Sequence, residues 1–316
     1  MRRLFMPEIE PACSAPAGSP GAPISRRKNP AMRSTLTMAA FAILSAAAHA
    51  ESVPGPCEQP GAIGAIVDRP GLGRPTANNG SPCVVPSSRL LIEAGYRDQT
   101  TPGVAGASTL EVFPLALLRL GLGARTEIVV QPPAHSNRGG ASLGGVFIPA
   151  TGAQDVGFGF KRMLDDRPTF QDAVAVFFTA PTGAPQGSGG FSAGGPTYTL
   201  TYTAAFALNG NVGISLTQNA IANAAPNDPT GATRFFSYQP SLTLSYAFAP
   251  NLTLLVGDQI TTPLAPNGGT GNRALVGLQR VFSPGIAIDA EYEVNALPAA
   301  PAFRQHAFGI GTAFQI

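Results

Sequence analysis

The chain has 316 residues, a formal net charge of +2, and only 12% Asp, Glu, Lys and Arg against 44% hydrophobic residues. That charge content is about half the usual share of a soluble domain, and so slight a net charge gives no electrostatic footprint for nucleic acid. Beyond residue 50 no apolar run reaches the roughly 18 residues of a spanning helix, which leaves a membrane β-barrel, whose lipid-facing residues alternate with small polar ones.

The first element is an export signal. Arg26, Arg27, Lys28 and Arg33 precede an apolar stretch from Met38 to Ala48, and Ala48-His49-Ala50 has the small-x-small form of a cleavage site. Residues 1–50 are therefore set aside as an N-terminal extension and signal peptide. Residues 51–87 follow as a Pro- and Gly-rich periplasmic segment. Its two cysteines, Cys57 and Cys83, are expected to pair, because an oxidising compartment favours a bridge across a segment unable to build its own core. Two thiols without a neighbouring His make a poor metal site, and no metal or cofactor is expected.

From residue 88 the chain alternates. In "TYTLTYTAAF" Tyr198, Leu200, Tyr202 and Phe206 share one face, and Thr197, Thr199, Thr201 and Thr203 share the other. An Asn209-Gly210 turn follows, a strong hairpin signal. "PSLTLSYAF" and "GIAIDAEYEVN" repeat the pattern. A soluble β-sandwich also alternates, but its exposed face would carry Lys and Glu where these strands carry Thr, Ser and Gly. About twelve strands are expected, near 88–99, 107–120, 125–132, 155–164, 170–181, 196–207, 211–221, 234–248, 251–260, 272–282, 285–295 and 302–316, all within an outer-membrane barrel over 88–316. Connections after the even strands are short, and those after strands three, five, seven and nine are long, as periplasmic turns and extracellular loops should be. The last strand, "FGIGTAFQI", sets Phe308, Ile310, Thr312, Phe314 and Ile316 toward lipid and is expected to pair with "RLLIEAGYR", which abolishes the sheet edges.

The stretches "IEAGYR", "FPLALLRLGLGARTEIVV" and, most specifically, "DVGFGFKRMLDDRPTFQDAVAVFFTAPTG" resemble the outer-membrane family labelled as phenol meta-degradation pathway proteins. The resemblance runs from about Leu90 onward. It implies a barrel in the outer membrane of a Gram-negative bacterium, set among lipid, inserted by the barrel-assembly machinery, and taking part in transport of small molecules. It does not imply phenol as the solute.

Catalysis has little to stand on. The mature region holds only His135, in the expected loop "PPAHSNRGG", and His306 near the outer rim, neither with an orienting acid close in sequence. The glycine-rich "GAPQGSGG" and "NGGTGNR" lack the Gly-Lys-Ser/Thr of a phosphate loop. Strand parity instead turns Glu93, Arg97, Glu111, Glu127, Lys161, Asp289, Glu291 and Glu293 into the lumen. There they either brace the wall or meet a passing solute. A passive pore or transporter for small molecules, hydrophobic or aromatic ones included, is the expected function, and a structural or surface-interaction barrel with a plugged lumen is the alternative. The order of basic, apolar and Ala-x-Ala segments predicts a mature chain starting at Glu51. N-terminal sequencing of outer-membrane material checks it, and a start before Met38 would contradict it.

Overall fold

The computed structural model describes Cys57 and residues 81–103, 106–140, 149–183, 191–224, 234–263, 269–296 and 304–316. The expected export signal lies within a separate unit, Met1–Glu51, outside these residues. Among these residues fourteen strands form: β1 (Leu90–Gly103), β2 (Gly106–Gly123), β3 (Thr126–Gln131), β4 (His135–Gly140), β5 (Ala150–Ala153), β6 (Val156–Arg167), β7 (Phe170–Ala180), β8 (Thr197–Ala207), β9 (Val212–Ala224), β10 (Arg234–Ala249), β11 (Leu252–Thr261), β12 (Gly271–Ser283), β13 (Ile286–Ala296) and β14 (Arg304–Gln315). All belong to one antiparallel sheet, and β1 bonds both β14 and β2, so the sheet closes on itself. The terminal strand is held to its end, with Leu90 and Ile316 exchanging backbone hydrogen bonds of 3.0 and 2.8 Å.

Fourteen strands make a twelve-stranded wall. β3 and β4 lie against the two halves of β2, and β6 and β5 lie against β3 and β4 in turn. Each couple is one wall strand with a break. Between β3 and β4 the break falls at Pro132 and Pro133, which have no N–H to give a ladder. The stretch 133–154, expected as one long loop, thus carries β4 and β5, and His135 opens a strand. The connections keep the expected asymmetry. One end has tight turns at 124–125, 168–169, 208–211, 250–251 and 284–285, and the other has the longer spans 181–196, 225–233 and 262–270. In the 208–211 turn, the Asn209 carboxamide oxygen accepts from the backbone N–H of Asn211 and Val212, both at 2.9 Å.

Alternation along the strands sorts the side chains. On β14, Ala307, Gly309, Gly311 and Ala313 are buried, whereas Phe308, Ile310 and Phe314 are 43–49% exposed. The same pattern of exposed Leu, Val, Ile, Phe and Tyr recurs from β8 round to β14. Each large apolar side chain removed from water contributes roughly 1.5–3 kcal/mol, and a belt this continuous is stable only against lipid. Arginines mark its margins. Arg280 sits 4.8 Å over Phe282 near the tight turns, and Arg234 sits 5.3 Å over Tyr198 near the long connections. Such pairs keep the guanidinium at the water boundary while its stem lies on an apolar ring.

Parity also shifts within β2. Gly95 opposes Leu115 and Arg97 opposes Val112, so Phe113 and Pro114 together face Tyr96. This extra residue is a β-bulge. Below it the odd residues of β2 point inward; above it Val112 and Leu110 do.

A cysteine replacing Thr270 should react with an impermeant maleimide on intact cells. One replacing Asn209, in a tight turn, should react only after the outer membrane is opened. The reverse pattern would invert the barrel.

Candidate functional site

The interior at the tight-turn end is built around Arg119, a side chain the sequence pattern does not single out. It projects from the lower half of β2 and is fully buried. Its Nε and Nη2 donate to Glu127 Oε1 and Oε2 at 2.9 and 3.1 Å, and its Nη1 donates to Glu93 Oε1 at 2.8 Å. Lys161, on β6, approaches Glu127 at 3.8 Å. Two acids and two bases meet here with no net formal charge. The forked geometry of Arg with a carboxylate is the strong form of this contact, and burial without it would cost several kcal/mol per ion.

The same groups hold a segment that does not belong to the wall. The carbonyl of Cys83 accepts from Lys161 Nζ at 2.7 Å and from Arg119 Nη2 at 3.1 Å, while the N–H of Val85 donates to Glu127 Oε2 at 2.7 Å. Cys57 and Cys83 are joined by a disulfide, and the Cys57 N–H reaches Asp166 Oδ1 at 3.4 Å. Cys57, Cys83, Val84 and Val85 pack on Leu91, Met163, Ala287 and Ala313, the inward faces of β1, β6, β13 and β14. A Cβ built on Gly121 would lie 2.1 Å from the Pro86 carbonyl oxygen, so only glycine lets the chain pass so close to β2. Of the stretch expected as a periplasmic segment, these described residues lie inside the tight-turn end of the barrel.

Further along, β13 carries Asp289, Glu291 and Glu293, all buried on the inner face. Glu293 binds Arg97 at 2.6 Å and lies 3.8 Å from Arg273 on β12. Glu291 lies flat on β14, where a Cβ on Gly309 would come within 2.6 Å of its Oε1. The small residues of the final strand thus give the acids room. Of the expected lumen residues, Glu93, Arg97, Glu127, Lys161, Asp289, Glu291 and Glu293 stand inside. Glu111 does not. It is exposed, takes a hydrogen bond from Asn137 Nδ2 at 3.3 Å, and lies above the bulge that reverses the parity of β2.

The histidines stay apart from this interior. His135 is 3.0 Å from the hydroxyl of Thr151, and His306 is 2.7 Å from that of Tyr292. No group of three or more potential metal ligands occurs among the described residues. The sequence does hold a signal for Arg119, since a lone charge inside a strand costs about 2–4 kcal/mol on the lipid face and so must turn inward. Apolar neighbours on both faces of "LALLRLGLG" hide which face is which.

The family model described as "Putative MetA-pathway of phenol degradation" matches residues 73–296. No curated protein matches the chain. Among solved structures, an outer-membrane channel from Pseudomonas putida F1 is 14% identical with a TM-score of 0.58, covering 74% of this chain and 97% of its own. The NanC porin (11% identical, TM-score 0.46, 71% and 98% covered) and the CymD monoaromatic hydrocarbon channel (9%, 0.39, 72% and 88%) are more distant.

Replacing Arg119 with Met alone should destabilise the barrel by about 3–5 kcal/mol, because two carboxylates are left buried against each other. Combining it with Glu93→Gln, which leaves Glu127 paired with Lys161, should recover much of that loss. Urea midpoints in detergent micelles check both, and an equal cost for single and double variants would contradict the ion-pair account.

Proposed function

The chain belongs to this phenol-degradation-pathway family of outer-membrane barrels, and from that premise we propose that it is a passive pore for small molecules. The observation that carries the reading is the contrast between its two faces. Outside, the wall is apolar from β8 to β14; inside, the same strands present Thr, Ser, Asn, Gln and a row of acids. A pore needs groups that replace the water of a passing solute, and a polar, charged inner face supplies them. The family is described by a pathway of phenol degradation, and small aromatic molecules fall within the size range of such a channel. No covalent chemistry is proposed, since neither histidine meets a nucleophile and an acid together. Insertion by the barrel-assembly machinery is part of the same proposal.

One observation favours the plugged alternative. Cys57 and residues 81–85 fill the tight-turn end, so passage requires this segment to yield. Its grip is apolar packing together with polar contacts, in which the Cys83 carbonyl and the Val85 N–H hold to side chains able to bond water or solute instead.

Asp289, Glu291 and Glu293 follow at two-residue steps, about 7 Å apart. An acidic stripe along a low-dielectric wall concentrates cations, so the open pore should prefer cations to anions. Glu293 is committed to Arg97, and its loss would strand a guanidinium. The informative variant is therefore Asp289→Asn with Glu291→Gln. Reversal potentials in asymmetric salt should show a weaker cation preference for it than for the unaltered protein. Unchanged selectivity in a folded, conducting variant would make the acids wall braces, and absence of current from both proteins would favour the plugged barrel.

A further inference from the structure

The bulge in β2 also shapes the long-connection end of the lumen. By carrying Glu111 outward it turns Leu110 and Val112 inward, where they pack with Leu115 and Ala134. On β1, β13 and β14 the inner face at that end instead presents Thr101, Asn295 and Gln305, joined by hydrogen bonds. One flank of the mouth is therefore apolar and the other polar. On the apolar flank, Arg138 of β4 lies opposite Leu110 and shares its face. Its guanidinium sits 5.1 Å from the centre of the Phe191 ring. Leu110 and Phe191 are half-buried and Arg138 is exposed, so this group is reached from solvent without passage through the barrel.

Phe191 belongs to the connection between β7 and β8, and one buried carboxylate fixes that connection. Asp155, just before β6, accepts from the N–H of Gly183 with Oδ1 and from the N–H of Ala193 with Oδ2, both at 2.8 Å. Both feet of the connection are thereby tied to a single side chain. The N–H of Val156 donates to Thr182 Oγ1 at 3.0 Å, and a Cβ on Gly183 would lie 2.6 Å from the Ala153 carbonyl oxygen, so the first foot runs tight against the wall. Ser192, next to Phe191, is buried and accepts from the N–H of Gly194 at 3.2 Å. Bonds from backbone N–H groups to a carboxylate are of the strong, charge-assisted kind. Surface connections are ordinarily more mobile than the strands they join. This one is held so that an aromatic ring stands beside Arg138.

We propose that Phe191, Arg138 and Leu110 form an entry site at the mouth that takes small neutral aromatic rings in preference to saturated molecules of the same size, with Asp155 as its positioning residue. The inference rests on the pore reading above and names the solute class selected at the entrance. An aromatic ring presents a negative face to a cation and a positive edge to another ring. It can stack on the side of the Arg138 guanidinium that Phe191 leaves open, and its remaining surface leaves water against Leu110. A saturated ring gains the burial alone. Neutral rings suit the site, because an anion drawn to Arg138 would next meet the buried acids of β13.

The chain has no Trp, so Phe191→Trp in the full mature protein makes its only indole a reporter of the site. The protein is titrated in lipid nanodiscs with benzyl alcohol and with cyclohexylmethanol, which differ in aromaticity alone, and empty nanodiscs correct for uptake by lipid. Benzyl alcohol should change the indole emission saturably, with an affinity roughly threefold above that of cyclohexylmethanol, the weight of one exposed cation–π contact. Arg138→Gln in the same background should abolish the preference. Asp155→Asn, whose amide accepts through one oxygen only, should shift the emission without ligand to the red and weaken both alcohols, while heat-modifiable migration on gels shows the barrel folded. Equal affinities, a preference that survives Arg138→Gln, or no saturable response would overturn the site, and unchanged emission in Asp155→Asn would overturn the positioning role. Potassium current through planar bilayers, measured on the unaltered protein, separates the two readings. Current without an aromatic preference leaves the pore standing and removes this site. Absence of current would overturn the pore reading, and with it the role of the site as an entrance.

Discussion

The contact on which the interior depends is the fork of Arg119 on Glu127. One guanidinium, fixed by two carboxylates, also donates to the carbonyl of Cys83. The wall and the segment crossing it therefore share one set of buried charges. Moving either leaves buried polar groups of the other without their partners. Lys161 strengthens the link by meeting both Glu127 and the Cys83 carbonyl. Packing completes it, since Val85 and Leu91 are fully buried in the same cluster. The disulfide extends this hold to Cys57, which packs in the same cluster and whose N–H reaches Asp166 at 3.4 Å.

Around that anchor the barrel divides into two chemistries. Lipid demands apolar side chains along most outward positions, and the closed ladder satisfies the backbone. What faces inward is then free to vary. Near the tight turns it is a neutral cluster of paired charges, on β13 an acidic stripe, and from β8 to β11 a wall of hydroxyls and amides. Small residues serve this arrangement where space is short. Gly309 gives room to Glu291, and Gly157 and Gly159 lie beneath the Phe177 ring, which a Cβ on either would meet at 2.4 Å.

Much of this was legible in the sequence because a barrel strand has to alternate. Twelve wall strands, their rough limits, the asymmetry of turns and loops, and the lipid-facing set of β14 all follow from period two and from turn residues. What was not legible has a specific cause in each case. The bulge at Phe113 and Pro114 carries Glu111 to the outer face, since one inserted residue reverses every side chain beyond it. The interruption at Pro132 and Pro133 reads as the end of a strand, although pairing with β2 resumes at His135. Arg119 is concealed by leucines on both sides of its strand. The docking of residues 81–85 has no periodic signature at all, because that stretch is held by the wall through a carbonyl and an N–H that every sequence possesses.

A shared anchor for wall and plug requires residues 81–85 to be part of the folded barrel. Amide hydrogen exchange of the full-length mature protein in lipid nanodiscs measures this directly, through peptides covering Cys83 to Ser88. Protection of the Val85 amide comparable to that of the β1 and β14 strand amides is the result expected, since its N–H is buried against Glu127. Exchange there at the rate of an unstructured peptide, while the strands stay protected, would contradict it.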